Sequence, residues 1–312
     1  MKQPKKPQVK PRYTLIKGQY WIHNPNKPRQ GPQPDGDTVS FEPDSIDLVR
    51  NLPRFSGRAP DIRTGGRINV RYEGIDALET HFNNTHQDLN FANKARDFNL
   101  ARLGFTNVKF FPDSPNVVQS VDVNPLPGYV IANGIESNGR LLGLVYIGAT
   151  NRVDGEKVFV TNAILDDSVN AKLIEAGLVY VEPYDTMPIS LVKHLRTRVH
   201  AARNANTELW ASEDINMDQG STIGNLADVQ TLVLWPKLFR RLATYFDEGF
   251  SGLDQFDAWI RDDLVHRDDS LRLPSGEKGN MHDTYIIDNN SLWLQYNPED
   301  LLITPDPKPA LI

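Results

Sequence analysis

Residues 71–80 read Arg71-Tyr72-Glu73-Gly74-Ile75-Asp76-Ala77-Leu78-Glu79-Thr80, and the rest of the chain is interpreted around them. The preceding apolar residues Ile68 and Val70 alternate with polar ones, which predicts a strand with one buried face and with Arg71 on the other. The strand runs into a loop that carries two carboxylates. One arginine and two acids outline a phosphate site, although a strand that enters a solvated turn has the same pattern.

The segments on either side predict a small β-barrel with flanking helices. Strands are predicted at residues 13–16, 20–22, 35–41, 68–72, 107–111, 128–132 and 140–147. Helices are predicted at residues 88–103, about 167–176 and about 190–211, and glycines follow the first two as stop signals. Five or so strands with one helix inside the series and two after it fit the five-stranded oligonucleotide-binding (OB) barrel, an α+β fold.

Composition divides the chain into three parts. Residues 1–12 carry five basic side chains and three prolines, which predicts a disordered tail rather than a nucleic-acid arm. Residues 13–212 hold the barrel, with an insertion at about 42–66 whose four arginines either face phosphates or belong to an ordinary surface segment. Residues 213–312 are expected to form a small accessory α+β domain, with helices at 236–246 and 253–263 and a hairpin at 284–296.

Charge is distributed unevenly between these parts. The net charge of −6 by itself argues against a nucleic-acid binder. Residues 1–211, however, hold 26 Lys+Arg and 22 Asp+Glu, whereas residues 212–312 hold 8 and 18. The first part can therefore accept a polyanion, and the acidic second part is expected to have a different partner or role.

Several classes of site are excluded. The absence of cysteine rules out disulfides and Cys-ligated zinc. The spacing of His81 with His86, and of His194 with His200, does not stack two rings on one helical face, so no histidine metal site is expected. No phosphate-binding glycine loop or serine-hydrolase elbow is present. No membrane-spanning or signal segment is visible, which makes the cytoplasm the default expectation, unless a signal was removed from a secreted protein.

Three remaining segments together hold the groups that phosphodiester hydrolysis requires. The reaction needs a nucleophilic water and stabilisation of an extra-negative phosphorus, and a carboxylate base, a hard cation with oxygen ligands and arginines supply these. The segments are Asp35-Gly36-Asp37-Thr38, the stretch from Arg71 to Glu79, and Asn138-Gly139-Arg140.

These motifs, in this order, resemble the staphylococcal nuclease family over about residues 31–212. The family's Asp-Gly-Asp-Thr strand start matches residues 35–38, and its arginine strand with an Asp-Thr-Pro-Glu loop matches residues 71–79 with unchanged spacing. Its Tyr-Gly-Arg turn matches residues 138–140. Its helix ending in Leu-x-x-x-Gly-Leu matches residues 173–178, and its last alanine-rich helix resembles residues 198–210.

The resemblance implies a calcium-dependent endonuclease that hydrolyses DNA and RNA. It implies that Asp37, Asp76 and the backbone carbonyl of Ala77 ligate Ca²⁺. It assigns to Glu79 the activation of the attacking water.

The resemblance also implies roles for residues around the metal. Arg71 and Arg140 would contact the phosphate and stabilise the phosphorane-like transition state, for which forked guanidinium donors are suited. Supporting roles fall to Asp35, Thr38 and Thr80, and substrate contacts to Tyr180 and Tyr184.

Two departures from the family pattern leave alternatives open. Ala77-Leu78 replaces the family's Thr-Pro, which removes a rigid proline ahead of Glu79, and Ser137-Asn138 replaces a Lys-Tyr pair, which puts a preference for chain ends in doubt. The alternative function is a non-catalytic nucleic-acid-binding barrel. Residues 213–312 are expected to bind a protein partner, to inhibit the nuclease or only to stabilise it.

Overall fold

A computed structural model describes residues 13–263 and 267–305. The strands are β1 (Tyr13–Trp21), β2 (Thr38–Pro43), β3 (Ile68–Tyr72), β4 (Ile75–Ala77), β5 (Lys109–Phe111), β6 (Ser114–Ser120), β7 (Leu126–Ile135), β8 (Leu141–Ile147), β9 (Lys157–Val158), β10 (Val179–Val181), β11 (Ser221–Thr222), β12 (Ser270–Arg272), β13 (Lys278–Asn280), β14 (Tyr285–Asp288), β15 (Ser291–Leu294) and β16 (Leu302–Ile303). The α-helices are α1 (Ile46–Arg50), α2 (Leu89–Leu103), α3 (Asn162–Asp166), α4 (Val169–Glu175), α5 (Ile189–Ala205), α6 (Leu226–Thr231), α7 (Pro236–Asp247) and α8 (Phe256–Arg261). The predicted basic tail, residues 1–12, lies outside the described residues.

Five strands close into a barrel in the order β1-β2-β3-β8-β7, and β7 pairs with β1 to complete the circle. Neighbouring strands are antiparallel except β3 and β8, which are parallel. The predicted five-stranded OB-fold barrel of an α+β protein is therefore confirmed, and α2, α4 and α5 are its main flanking helices.

The first barrel strand is one continuous element, where two short strands were predicted. Gly18 lies at its middle, opposite Pro43 of β2 and Gly128 of β7. A Cβ at Gly18 would lie 2.2 Å from the carbonyl oxygen of Glu42, so no side chain fits there. The interrupted apolar alternation therefore marks a close approach of strands inside the barrel and not a turn between two strands.

Local sequence signals determine where the helix after residues 71–80 begins and ends. Asp88 caps α2 by accepting a hydrogen bond from the Phe91 N–H at 3.0 Å, and Gly104 ends the helix with a left-handed φ of 96°. The predicted range 88–103 agrees with this helix. On the other side, buried Asn170 of α4 donates to the Glu73 carbonyl at 3.0 Å and thereby ties that helix to the end of β3.

The insertion at 42–66 lies over the turn that precedes β8. Its backbone pairs with the end of β7 through a Phe55 N–H to Ile135 carbonyl bond of 3.1 Å, and the Asp61 N–H donates to the Gly139 carbonyl at 2.8 Å. Its four arginines are exposed, and of them Arg63 lines the cleft described below. Most of the insertion is thus an ordinary surface segment that steadies one turn.

Residues 213–263 and 267–305 form the additional α+β region that was predicted. The helix at 236–246 is present as α7, α8 is shorter than predicted, and the hairpin is β14 with β15. One continuous cluster of buried apolar residues runs from the barrel into this region, with Trp235 and Phe239 fully buried in it. The division at residue 212 stays a prediction. In residues 13–263 and 267–305, no helix is both long enough and apolar enough to cross a membrane.

Candidate active site

The 71–80 stretch folds as predicted into a strand, a tight turn and a second short strand. Ile68, Val70 and Tyr72 are buried in the barrel, whereas Arg71 lies on the opposite side. Gly74 forms the turn with a φ of 80°, which glycine adopts without steric cost. The turn brings β4 against β10, where Asp76 pairs with Tyr180. Arg71 and Asp76 consequently face each other within one short segment.

A cleft of about 940 Å³ opens beside β3, and most of the predicted residues line it. The lining includes the predicted catalytic residues and most of the predicted supporting ones, namely Arg71, Glu79, Arg140, Asp35, Asp37, Thr38 and Tyr184. Three segments that are far apart in sequence therefore meet at one surface. Tyr180 is instead fully buried, with its ring 5.1 Å from that of Trp210, and its position does not suit the predicted substrate contact.

Arg71 holds the two aspartates that were predicted to ligate calcium. Its Nη1 donates to Asp37 Oδ2, and its Nη2 donates to Asp76 Oδ1 at 2.5 Å. The backbone N–H of Ala77 also donates to Asp37 Oδ2, at 2.8 Å, and Thr38 Oγ1 donates to Asp37 Oδ1 at 3.1 Å. In this arrangement Arg71 therefore donates its hydrogen bonds to carboxylates of the site itself.

A second guanidinium, from Arg240 of α7, enters the same acidic group. Its Nη2 donates to Asp76 Oδ2 at 2.8 Å, and its Nη1 donates to Glu79 Oε1 at 2.5 Å and to Asp76 Oδ1 at 3.3 Å. Asp76 is fully buried, and the Arg240 side chain is 19% exposed. The pair is thus a desolvated, forked ion pair between the barrel and the C-terminal region.

These contacts separate the pKa values of the carboxyl groups. Burial would raise the pKa of Asp76, but Arg240 and Arg71 outweigh it and lower that pKa to about 2. Burial raises the pKa of Glu79 despite Arg240, and the neighbouring Asp76 and Asp37 charges add to the rise. Burial, Glu79 and Asp37 likewise raise the pKa of Asp35 well above its ordinary value. Asp76 is therefore a permanent anion, whereas Glu79 has the more basic carboxylate.

Arg140 lies at the other side of the cleft, immediately before β8. The next residue, Leu141, pairs with Val70, which places Arg140 alongside the arginine strand. Its Nε and Nη2 donate to Glu136 at 3.2 and 3.5 Å, and its Nη1 donates to none of the described residues. Part of this guanidinium is therefore available to a ligand in the cleft.

Sequence reasoning missed a second row of charged residues, which also lines the cleft. Glu182, buried after β10, lies 3.8 Å from both Arg71 and Lys237, and its Oε1 has no hydrogen-bond partner within the described part of the chain. Lys237 donates to the Tyr184 hydroxyl at 3.1 Å and to Asp269 at 3.2 Å. Burial, followed by the charge of Asp76, raises the pKa of Glu182.

One sequence signal could have pointed to this row. The acidic region 212–312 has only 8 Lys+Arg, and three of them lie at 237, 240 and 241. That spacing places them together on one side of a helix whose remaining positions are largely apolar. A cationic stripe on a buried helix requires acidic partners, and the acids of the 71–80 stretch were candidates.

Calcium is the ion that the resemblance implies, and the donors at the site are hard oxygens of the suitable kind. Both oxygens of Asp37 already accept hydrogen bonds, from Thr38, Arg71 and a backbone N–H, and both oxygens of Asp76 accept from Arg71 or Arg240. Over residues 13–263 and 267–305, no group of three or more acidic or histidine side chains is arranged to hold a metal ion. The site does not fit calcium in this arrangement, and the calcium ligands remain a prediction.

The sequence was also compared with known protein families. Residues 69–212 match the family model described as "Staphylococcal nuclease homologue". The match covers the arginine strand, the acidic loop, the Asn138-Gly139-Arg140 turn and the flanking helices, and begins after the Asp35–Thr38 segment that the predicted resemblance also included. No curated protein matches the chain at a significant level.

Proposed function

We propose that this protein is a nuclease that hydrolyses DNA and RNA in the cleft beside β3, because residues 69–212 match the staphylococcal nuclease homologue family model. The observation that supports this best is the convergence of Arg71, Glu79 and Arg140 on one cleft. These residues come from two separate segments of the barrel, and the parallel pairing of β3 with β8 brings the segments together.

Glu79 is the proposed general base. Its Oε1 is held by Arg240, whereas its Oε2 has no hydrogen-bond partner among the described residues, so that one oxygen can accept a proton from a water in the cleft. Burial raises the pKa of Glu79, which makes its carboxylate a better base near neutral pH. Its side chain is 17% exposed, which leaves it accessible from the cleft.

Arg140 is the proposed main phosphate contact. Its side chain is 30% exposed, and its Nη1, which donates to none of the described residues, can donate to a phosphate oxygen while Glu136 holds the other side of the guanidinium. Arg71 lies deeper, at 13% exposure, and contributes positive charge at the floor of the cleft. Two permanent cations suit the negative charge that develops on phosphorus during hydrolysis.

The direct test is cleavage of plasmid DNA and of a fluorescent RNA by the full chain. Glu79→Gln keeps the shape of the side chain but removes the base, and we expect a loss of roughly 10²- to 10⁴-fold in rate. Glu156→Gln, which alters an exposed pair with Arg152 outside the cleft, is the matched control and should cleave like the wild type. Near-normal cleavage by Glu79→Gln would rule out its role as base.

The second candidate is nucleic-acid binding without hydrolysis. The observation that favours it is the ion pair of Arg240 with both Asp76 and Glu79, which engages the acids that hydrolysis would use. Fluorescence anisotropy with single-stranded DNA separates the two candidates. Binding that Arg140→Gln weakens, with no cleavage under any metal condition, would select the second.

The expected calcium dependence of cleavage is tested with the same substrates. Cleavage is measured with calcium, with EDTA and with calcium restored after EDTA. Loss and recovery of activity would support calcium chemistry, whereas activity that EDTA leaves unchanged would indicate that this chain's own side chains suffice.

A further inference from the structure

The cation that lies between Asp76 and Glu79 belongs to the protein itself. Arg240 engages both oxygens of Asp76 and one oxygen of Glu79, and Arg71 bridges Asp76 to Asp37 from the other side. Two guanidinium groups thus already neutralise most of the charge of three carboxylates. A divalent cation placed among the same oxygens would have to displace these donors and would be repelled by them.

The helix that carries Arg240 is held firmly in place. Trp235, Leu238 and Phe239 around it are fully buried in the shared core. Just before the helix, the Leu234 carbonyl accepts a hydrogen bond from the side-chain Nε2 of Gln87 at 2.9 Å.

 The amide oxygen of Gln87 accepts from the Glu79 N–H at 3.1 Å, so one side chain joins the start of α7 to the acidic loop. Arg240 therefore reaches the acids from a fixed backbone position.

The neighbouring residues of α7 have partners of their own. Arg241 donates to Asp269 at 2.6 Å, and Lys237 donates to the same carboxylate at 3.2 Å. Of the three cations on this helix, only Arg240 forms an ion pair with the predicted metal ligand Asp76 within the described part of the chain. Arg240 can thus be changed with Arg241 as a matched control on the same helix.

We propose that Arg240 takes the place of the divalent cation, so that a guanidinium holds Asp76 and Glu79 and calcium binds there only when Arg240 is removed. This inference rests on the site assigned under the proposed function but not on hydrolysis. It gives the C-terminal region a defined role, which is to supply the internal cation of the centre. It also accounts for the disagreement between the implied calcium ligands and their observed partners.

The test is a calorimetric titration of calcium into the chelator-treated full chain at pH 7.5. The wild type and Arg241→Gln are expected to show no saturable calcium site below about 1 mM, the weak end of protein calcium sites. Arg240→Gln is expected to gain a site with a Kd on the order of 10⁻⁴ to 10⁻³ M. Adding Asp76→Asn to Arg240→Gln should abolish the gained site.

Folding of the variants is followed by circular dichroism in the same samples. If Arg240→Gln is unfolded without calcium, calcium should restore its native spectrum, because binding to the folded state alone stabilises it. A wild-type calcium site that Asp76→Asn removes would overturn the proposal. So would an Arg240→Gln variant that neither binds calcium nor refolds with it.

These outcomes are separate from those of the cleavage assay. A chain that cleaves no nucleic acid but gains a calcium site on loss of Arg240 would refute the nuclease proposal and support the internal cation. If the wild-type protein cleaves nucleic acid with calcium and itself binds calcium at this site, the nuclease proposal is supported and the internal cation is refuted.

Discussion

Glu73, at the end of β3, provides the sharpest test of the electrostatics of this cleft. Its side chain lines the cleft and is almost fully buried. Oε1 accepts a hydrogen bond from Asn133 Nδ2 at 2.5 Å. Burial, only partly offset by Asn133, raises the pKa of Glu73 from 4.5 to about 7. The folded protein therefore keeps this carboxyl protonated at mildly acidic pH.

The sign of the effect follows from linkage. The pKa of Glu73 is higher in the folded state, so its protonated carboxyl contributes to the free energy of unfolding. This contribution is fully present below about pH 4.5 and is lost as the pH rises through about 7. The gap between the two values corresponds to about 3 kcal/mol of unfolding free energy. Glu73→Gln cannot ionise and should therefore lack this part of the pH dependence.

The measurement is urea unfolding of both proteins between pH 4.5 and 8. The wild type should lose about 3 kcal/mol more than Glu73→Gln over this range, a midpoint difference of roughly 1 M urea at a slope of about 3 kcal/mol/M. The exposed Glu156→Gln variant should follow the wild-type profile. Parallel profiles of wild type and Glu73→Gln would refute the reasoning.

Three further predictions concern the architecture. Truncation after Ala211 removes about a third of the shared core together with Arg240, which pairs with Asp76 and Glu79, so the fragment should lose its cooperative thermal transition by circular dichroism; a cooperatively folded fragment would contradict the single core. Asp76→Asn leaves two buried guanidiniums short of a partner and should cost about 3–5 kcal/mol in urea unfolding, and a loss below about 1 kcal/mol would show that the pairs matter little. Gly139→Ala imposes a φ of 83° on alanine and places its Cβ 2.9 Å from the Ala59 carbonyl, so it should destabilise by about 1–3 kcal/mol and weaken single-stranded DNA binding by anisotropy; unchanged binding and stability would contradict the tight turn.

Local patterns predicted much of the barrel because they act over a few residues. The alternation at Ile68 to Tyr72 placed Arg71 opposite the core, and the Asp88 and Gly104 caps bounded α2. The pattern failed at Gly18, where the missing side chain reflects a contact with Glu42 of another strand rather than a local break. Backbone approaches of this kind have no local signature beyond the glycine itself.

Tyr180 shows the same limit for the site. The run Leu178-Val179-Tyr180-Val181 is apolar throughout, so the sequence did not tell which face of β10 would be covered. Trp210, beyond α5, covers the Tyr180 ring. Only the return of the chain after that helix decided that this tyrosine would pack in the core while Tyr184 lines the cleft.

The sequence by itself determined the nucleus of the centre, because Arg71, Asp76 and Glu79 lie within nine residues and one strand and one glycine turn suffice to bring them together. The tertiary structure decided which cation these acids meet. Arg240 is 161 residues from Glu79, and no spacing rule extends over such a distance. It reaches the acids because α7 buries its apolar side against the barrel, and the ion pair forms where that packing places the guanidinium.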